Sequence, residues 1–190
     1  MTDPATRAVL HLSPPPEDER SSAVDFDTAD PDARTLRQAF GCFPSGVTAV
    51  GGLVGGEPVG MAVSSFTSVS LTPPLLSVCI RASSSTWPRL RDRRRLGLSV
   101  LAEDQDAACR RLADRDRNRF AGVRWRATPE GAVFLDGASA WFECSLAAEL
   151  PGGDHTIALL RIHRVRTDPA TPPLVFHGSR FRRLAPDDQQ

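Results

Sequence analysis

Two hydroxyl-rich runs, an arginine-rich stretch and one Asp-His pair hold most of the chemistry this chain can do. The longest run is Gly60-Met61-Ala62-Val63-Ser64-Ser65-Phe66-Thr67-Ser68-Val69-Ser70-Leu71-Thr72-Pro73-Pro74-Leu75-Leu76. Its small hydroxyls and the amides beside them suit a flat, polar, phosphate-bearing ligand. Ser83-Ser84-Ser85-Thr86 opens a helix, and the unpaired amides of a helix start attract phosphate. Ordinary capping by Ser85 or Thr86 explains the same run without a ligand. Arg117-Asn118-Arg119-Phe120-Ala121-Gly122-Val123 offers guanidinium groups suited to bidentate phosphate contacts, or else a solvated helix end. Gly153-Asp154-His155 reads as a turn between strands, with Asp154 bonding its own backbone and His155 exposed.

These residues need a scaffold, and the periodicity supplies one. Asp30 as N-cap and Pro31 at the first position predict a helix bearing Leu36 and Phe40 on one face, ended by Gly41 and Pro44. Val47 to Val54 and Glu57 to Phe66 read as a hairpin about Gly55-Gly56. Met61 to Ser70 reads as one extended strand with no cleanly apolar face, so an exposed half-polar strand remains open as an alternative. Strands are expected over Leu75–Ile80, Leu96–Leu101, Ala140–Leu150, Thr156–Val165, Leu174–His177 and Phe181–Leu184. Asp104 is expected to cap a helix carrying Ala108 and Leu112. Together these elements predict a mainly β chain, an antiparallel barrel with a few short flanking helices. Residues 1–30, acidic and Pro-rich, read as a disordered tail before a domain over 31–186, with 187–190 as a second tail.

Composition excludes several classes. The 190 residues carry 23 basic and 23 acidic groups, without the basic excess that nucleic acid or membrane surfaces demand. No apolar run reaches the length of a membrane span, and no signal peptide is evident, so residence in the cytoplasm is expected. The His residues are scattered and no metal constellation is expected. Cys42, Cys79, Cys109 and Cys144 form no CxxC pair and read as free thiols. No GxGxxG follows a strand, and no nucleophile elbow is present.

The Gly60–Leu76 run resembles the signature of the short-chain flavin reductases, and Gly153-Asp154-His155-Thr156-Ile157 matches a second piece of that pattern downstream. The resemblance spans roughly Leu36 to Leu184. It implies an FMN-binding split β-barrel, Greek-key-like, that is usually a homodimer with its flavin near the subunit interface. It further implies reduction of FMN, or FAD, by NADH or NADPH and delivery of reduced flavin to a partner monooxygenase. On this resemblance Val63, Ser64, Ser65, Phe66 and Ser70 line the flavin. Ser85 and Thr86 hold its phosphate, together with Arg119 of the Arg119-Phe120 pair. Asp154, His155 and Phe181 lie on the nicotinamide side, with His155 positioning the hydride donor rather than acting as an obligatory base. Ala62 stands where Thr is common, and Phe181 where Tyr is common. Glu143-Cys144 also matches a strand pair of the pattern. A non-catalytic flavin- or haem-binding split barrel is the alternative, and a scaffold protein using the Arg-rich Leu90–Arg95 segment is a third.

Overall fold

The computed structural model describes Phe26, residues 30–114 and residues 118–185. The expected tails, 1–30 and 187–190, lie outside the described residues apart from Phe26 and Asp30. The elements in chain order are α1 (Ala33–Gly41), β1 (Ser45–Gly46), β2 (Thr48–Val54), β3 (Glu57–Val63), β4 (Thr67–Leu71), β5 (Pro74–Arg81), α2 (Trp87–Leu90) and β6 (Leu96–Val100). They continue with α3 (Asp106–Ala113), β7 (Trp125–Ala127), β8 (Val133–Leu135), β9 (Ala140–Gly152), β10 (His155–Thr167), β11 (Val175–His177) and β12 (Arg180–Arg182). No described helix is long and apolar enough to cross a membrane.

Seven strands form one antiparallel sheet in the order β3-β2-β6-β9-β10-β5-β4. Its two edge strands, β3 and β4, are consecutive and joined by only residues 64–66. Three residues cannot span an open seven-stranded sheet, so the edges meet and the sheet rolls into a barrel. Ser65 makes the join. Its hydroxyl donates to Cys79 O at 3.0 Å and accepts from Cys79 N–H at 2.7 Å, standing in for a rung of the backbone ladder. The expected continuous strand from Met61 to Ser70 is therefore interrupted here, because the chain must pass from one side of the seam to the other.

Period-two alternation fills both faces of the wall. Val50, Leu96 and Leu98 point into the barrel core, while Val47, Ala49 and Leu101 join an outer layer with Cys109, Leu112 and Phe120. The β7–β8 hairpin lies on the outside of β6. An added Cβ on Gly97 would sit 2.1 Å from Val133 O, and Ser99 Oγ accepts from Leu135 N–H at 3.1 Å. Gly55 and Gly56, at φ +63° and +85°, make the predicted two-residue turn between β2 and β3.

Three local expectations are corrected. Asp32, not Asp30, caps α1, its carboxylate accepting from Thr35 N–H at 2.7 Å. Asp104 does not cap α3, which starts after Gln105. The Gln105 side chain instead accepts from Ala102 N–H and donates to Asp136 O, tying the helix start to the wall. The Leu36/Phe40 face of α1 has no covering partner among the described residues: no residue of α1 is buried, and Phe40 is 70% exposed.

Candidate functional site

β3 is the element that organises the site. As an edge strand it has one row of backbone groups unpaired by the sheet. Gly60 O points to that open side, where the Arg119 guanidinium donates to it at 3.2 Å. The two-residue repeat of the ladder turns the backbone groups of Ala62 the same way. The backbone edge needed for a planar heterocycle is thus present whether position 62 is Ala or Thr.

Arg119 and Phe120 dock on Gly60 as a unit. A Cβ at Gly60 would meet Val50 O at 2.7 Å and Phe120 Cζ at 3.0 Å, so only glycine admits the ring. Phe120 is 9% exposed and meets Trp125 edge-on at 6.4 Å. Arg119 Nη1 then donates to Thr86 Oγ1 at 2.7 Å as well as to Gly60 O. Thr86 is buried, at the entrance to α2. A cleft of about 300 Å³ opens beside this junction, lined by Glu57, Gly60, Ser85, Thr86, Arg89, Asn118, Arg119 and Phe120. It sets two guanidinium groups against one carboxylate.

The helix start contributes less charge than its hydroxyls suggest. Ser84, rather than Ser85 or Thr86, caps α2: its Oγ accepts from Thr86 N–H at 3.3 Å and from Trp87 N–H at 3.2 Å. Those amides are occupied, so the anion-binding character of the cleft comes chiefly from arginine. A flavin phosphate fits this donor set, with Arg119 and Thr86 as the residues that would hold it.

A second cleft, about 730 Å³, lies where β3 ends, between α3 and the β11–β12 hairpin. Ala62, Val63, Ser64, Arg110, Phe176 and Phe181 are among its lining residues. The Arg110 guanidinium sits 4.8 Å from the Phe181 ring centre, and Phe176 meets that ring edge-on at 5.5 Å. Both clefts adjoin β3, one at Gly60 and one from Ala62 onward, as a ligand with a phosphate tail and an aromatic body requires.

The remaining candidates divide. Ser65 spends its hydroxyl on Cys79 and is a seam residue rather than an open donor. Phe66 packs on Phe142 with ring centres 5.9 Å apart, against the barrel core. Ser70, in β4, pairs with Leu75 of β5 after a register shift. Neither Phe66 nor Ser70 lines the two clefts. Asp154 and His155 stand at the tip of the β9–β10 hairpin, with Asp154 Oδ1 and His155 Nδ1 2.7 Å apart. The hydrogen bond from His155 holds the Asp154 carboxyl below its usual range. His155 lies opposite Arg81, and Ala82 N–H donates to Asp154 O at 2.9 Å, so the hairpin tip is fastened to the loop that leads to Thr86. The pair lines neither cleft.

Gly60, Arg89, Asn118 and Arg110 were not singled out by sequence reasoning. Arg89 had a legible signal, since it follows Thr86 by three residues on a helix and so shares its face. Arg110 had none, because its partner Phe181 is distant in the chain. Cys144 is fully buried and its thiol is pushed up to about 12 by desolvation, in keeping with a core role. His163 shares a 2.8 Å hydrogen bond with Ser145 on the sheet surface.

Comparison with known proteins gives the family. Residues 40–185 match the flavin reductase like domain. The chain is 42% identical over 172 residues to an NADH-dependent FAD reductase of Streptomyces globisporus, covering 87% of this chain and 93% of the relative. It is 35% identical over 165 residues to the reductase subunit HsaB of a flavin-dependent monooxygenase from Rhodococcus jostii, covering 87% and 84%. Among solved structures, the Streptomyces globisporus NADH:FAD oxidoreductase SgcE6 in complex with NAD and FAD fragments superposes with a TM-score of 0.79 at 41% identity, covering 86% of this chain and 99% of that one. With the match extending over nearly the whole described barrel, the chain belongs to the flavin reductase-like family.

Proposed function

We propose that this chain is an NAD(P)H-dependent flavin reductase that binds its flavin along the β3 edge. The phosphate sits at Arg119, Thr86 and Ser85, and the ring lies toward Val63 and Ser64. The observation that carries the reading is the Arg119 guanidinium, held by Thr86 Oγ1 and Gly60 O where β3 leaves its backbone unpaired. Bound flavin supplies the hydride acceptor for reduced nicotinamide. The protein's part is to hold the two rings in register and keep water out. In this reading His155, oriented by Asp154, borders the nicotinamide, and Phe181 closes the far side of the ring. Relatives that are reductase subunits of flavin-dependent monooxygenases support a partner oxygenase that receives the reduced flavin. The reading also includes a homodimer, in which a second copy covers Phe40 and Phe43, exposed by 70% and 77%. Nothing about the Glu143–Arg164 or His163 surroundings favours a haem or non-catalytic reading.

Anaerobic mixing with NADH or NADPH in the presence of FMN or FAD tests the activity. Bleaching of the visible flavin band is the expected result, and an unbleached band with every pairing would overturn it. Light scattering at several protein concentrations tests the dimer.

A further inference from the structure

We propose that Arg110 is a positioning residue for reduced nicotinamide. It acts through Phe181, fixing the β11–β12 hairpin as the wall of the second cleft against which the donor is aligned. This rests on the reading that the chain reduces a flavin and that Phe181 borders the donor. The geometry is that of a bridge. Arg110 comes from α3 on one side and Phe181 from β12 on the other, and both line the space of about 730 Å³ between them. The guanidinium lies 4.8 Å from the Phe181 ring centre, and Phe176 meets that ring edge-on at 5.5 Å. Asp106, one turn back on α3 and also in the cleft lining, sits 3.7 Å from Arg110 Nε and steers it toward the hairpin. Arg126 and Arg166 also stack on a ring, that of Trp141, but none of these three lines either cleft.

β12 needs such a hold. It is three residues long, stands at the edge of the small sheet β1-β11-β12, and is paired on one side only, with β11. The base of the hairpin is tied to the barrel. Leu174 N–H donates to Leu101 O at 2.7 Å, and Val47 N–H donates to Leu174 O at 3.2 Å. Those bonds fix where the hairpin starts and leave the tilt of β12 to the side chains it carries. The Arg110 side chain is 68% exposed, and an exposed stack of a cation on a ring adds little to global stability. Its effect is therefore on where Phe181 stands rather than on whether the barrel folds.

Two measurements test this, one without flavin and one with it. In hydrogen exchange on the ligand-free protein, Arg110→Gln is expected to speed exchange of the Arg180–Arg182 amides about three- to tenfold and to leave those of β6 unchanged. In anaerobic stopped-flow reduction by NADH or NADPH, the same variant is expected to lower the limiting rate about three- to tenfold. Its dithionite rate and melting temperature should match the parent. In the Phe181→Leu background, Arg110→Gln is expected to change the rate less than about twofold, because the ring it acts through is gone. Arg110→Lys keeps the charge without the planar stack and is expected to recover only part of the loss. Unchanged exchange in β12, an unchanged reduction rate, or an equal loss in both backgrounds overturns the proposal. A parent that bleaches no flavin with either donor overturns the underlying reading, and the donor role with it.

Discussion

Trp87 Nε1 donates to Glu149 Oε1 at 2.7 Å, joining the helix that begins at the Thr86–Arg119 cleft to the strand that leads to His155. Glu149 also pairs with Arg91, and Trp87 is 4% exposed. Glu149→Ala leaves the indole N–H without its acceptor and is expected to cost about 1–3 kcal/mol, read by denaturant melting. Glu149→Gln keeps an acceptor for Trp87 and is expected to cost less. Equal stability of the Ala variant and the parent would show that the tie contributes nothing.

Arg119→Ala removes a charge-assisted contact and is expected to weaken FMN binding by about 1.5–3 kcal/mol. Riboflavin, which lacks the phosphate, should bind both forms equally. Calorimetric titration of the two ligands distinguishes this from a general loss of folding.

His155→Ala is expected to leave flavin affinity nearly unchanged, since the hairpin tip lines neither cleft. Reduction by NAD(P)H should slow by roughly tenfold to a few hundredfold through misplacement of the donor carbon. Dithionite should reduce bound flavin at the parent rate, because that route needs no nicotinamide. Anaerobic stopped-flow measurement reads both, and an unchanged NAD(P)H rate would leave His155 an ordinary turn residue.

Gly60→Ala tests the docking of the Arg119–Phe120 unit. The added methyl meets Val50 O at 2.7 Å and Phe120 Cζ at 3.0 Å, and the backbone oxygen cannot retreat without disturbing the β2–β3 ladder. A loss of about 1–3 kcal/mol in stability is expected, together with weaker FMN binding as Arg119 is carried away from Thr86. A stable variant that binds FMN normally would contradict the account of β3.

Glu143 predicts an acid-sensitive term in stability. It is 4% exposed, and its hydrogen bonds from Arg164 outweigh burial to hold its carboxyl below the usual carboxylate range. A folded-state pKa below the unfolded one means the stabilisation is complete above the unfolded carboxyl's range and fades as pH falls through the folded value. Glu143→Gln should therefore flatten the acid limb of the stability curve. Melting temperatures followed from pH 7 downward check it, and parallel curves for variant and parent would refute it.

The hairpin about Gly55-Gly56 and the long β9–β10 pair were legible because turn glycines and strict alternation are local signals. The β7–β8 hairpin was not. Trp125–Ala127 and Val133–Leu135 are three residues each, and their packing is set by the missing side chain of Gly97, far away in sequence. The Thr86–Arg119 cleft was half legible. Thr86 and Arg119 came from motif matching, but that one donates to the other depends on Gly60 bringing them together. Phe66 and Ser70 came from the family resemblance rather than from alternation, which gives no facing for residues 64–66, where the chain crosses the seam and the facing of each side chain is reset.

The Ser65 hydroxyl gives that seam a dynamic signature. Elsewhere around the wall, opening the barrel means breaking a row of backbone bonds, whereas at Cys79 the N–H is shielded from solvent by one side chain that can rotate away. The Cys79 amide should therefore exchange with deuterium through a local opening well below the global unfolding free energy, while the amides of β6 in the middle of the sheet exchange only by whole-barrel unfolding. Since the residues beside the seam lead directly into the cleft at Val63 and Ser64, the exchange rate of that single amide reports how tightly the barrel is latched beneath that cleft.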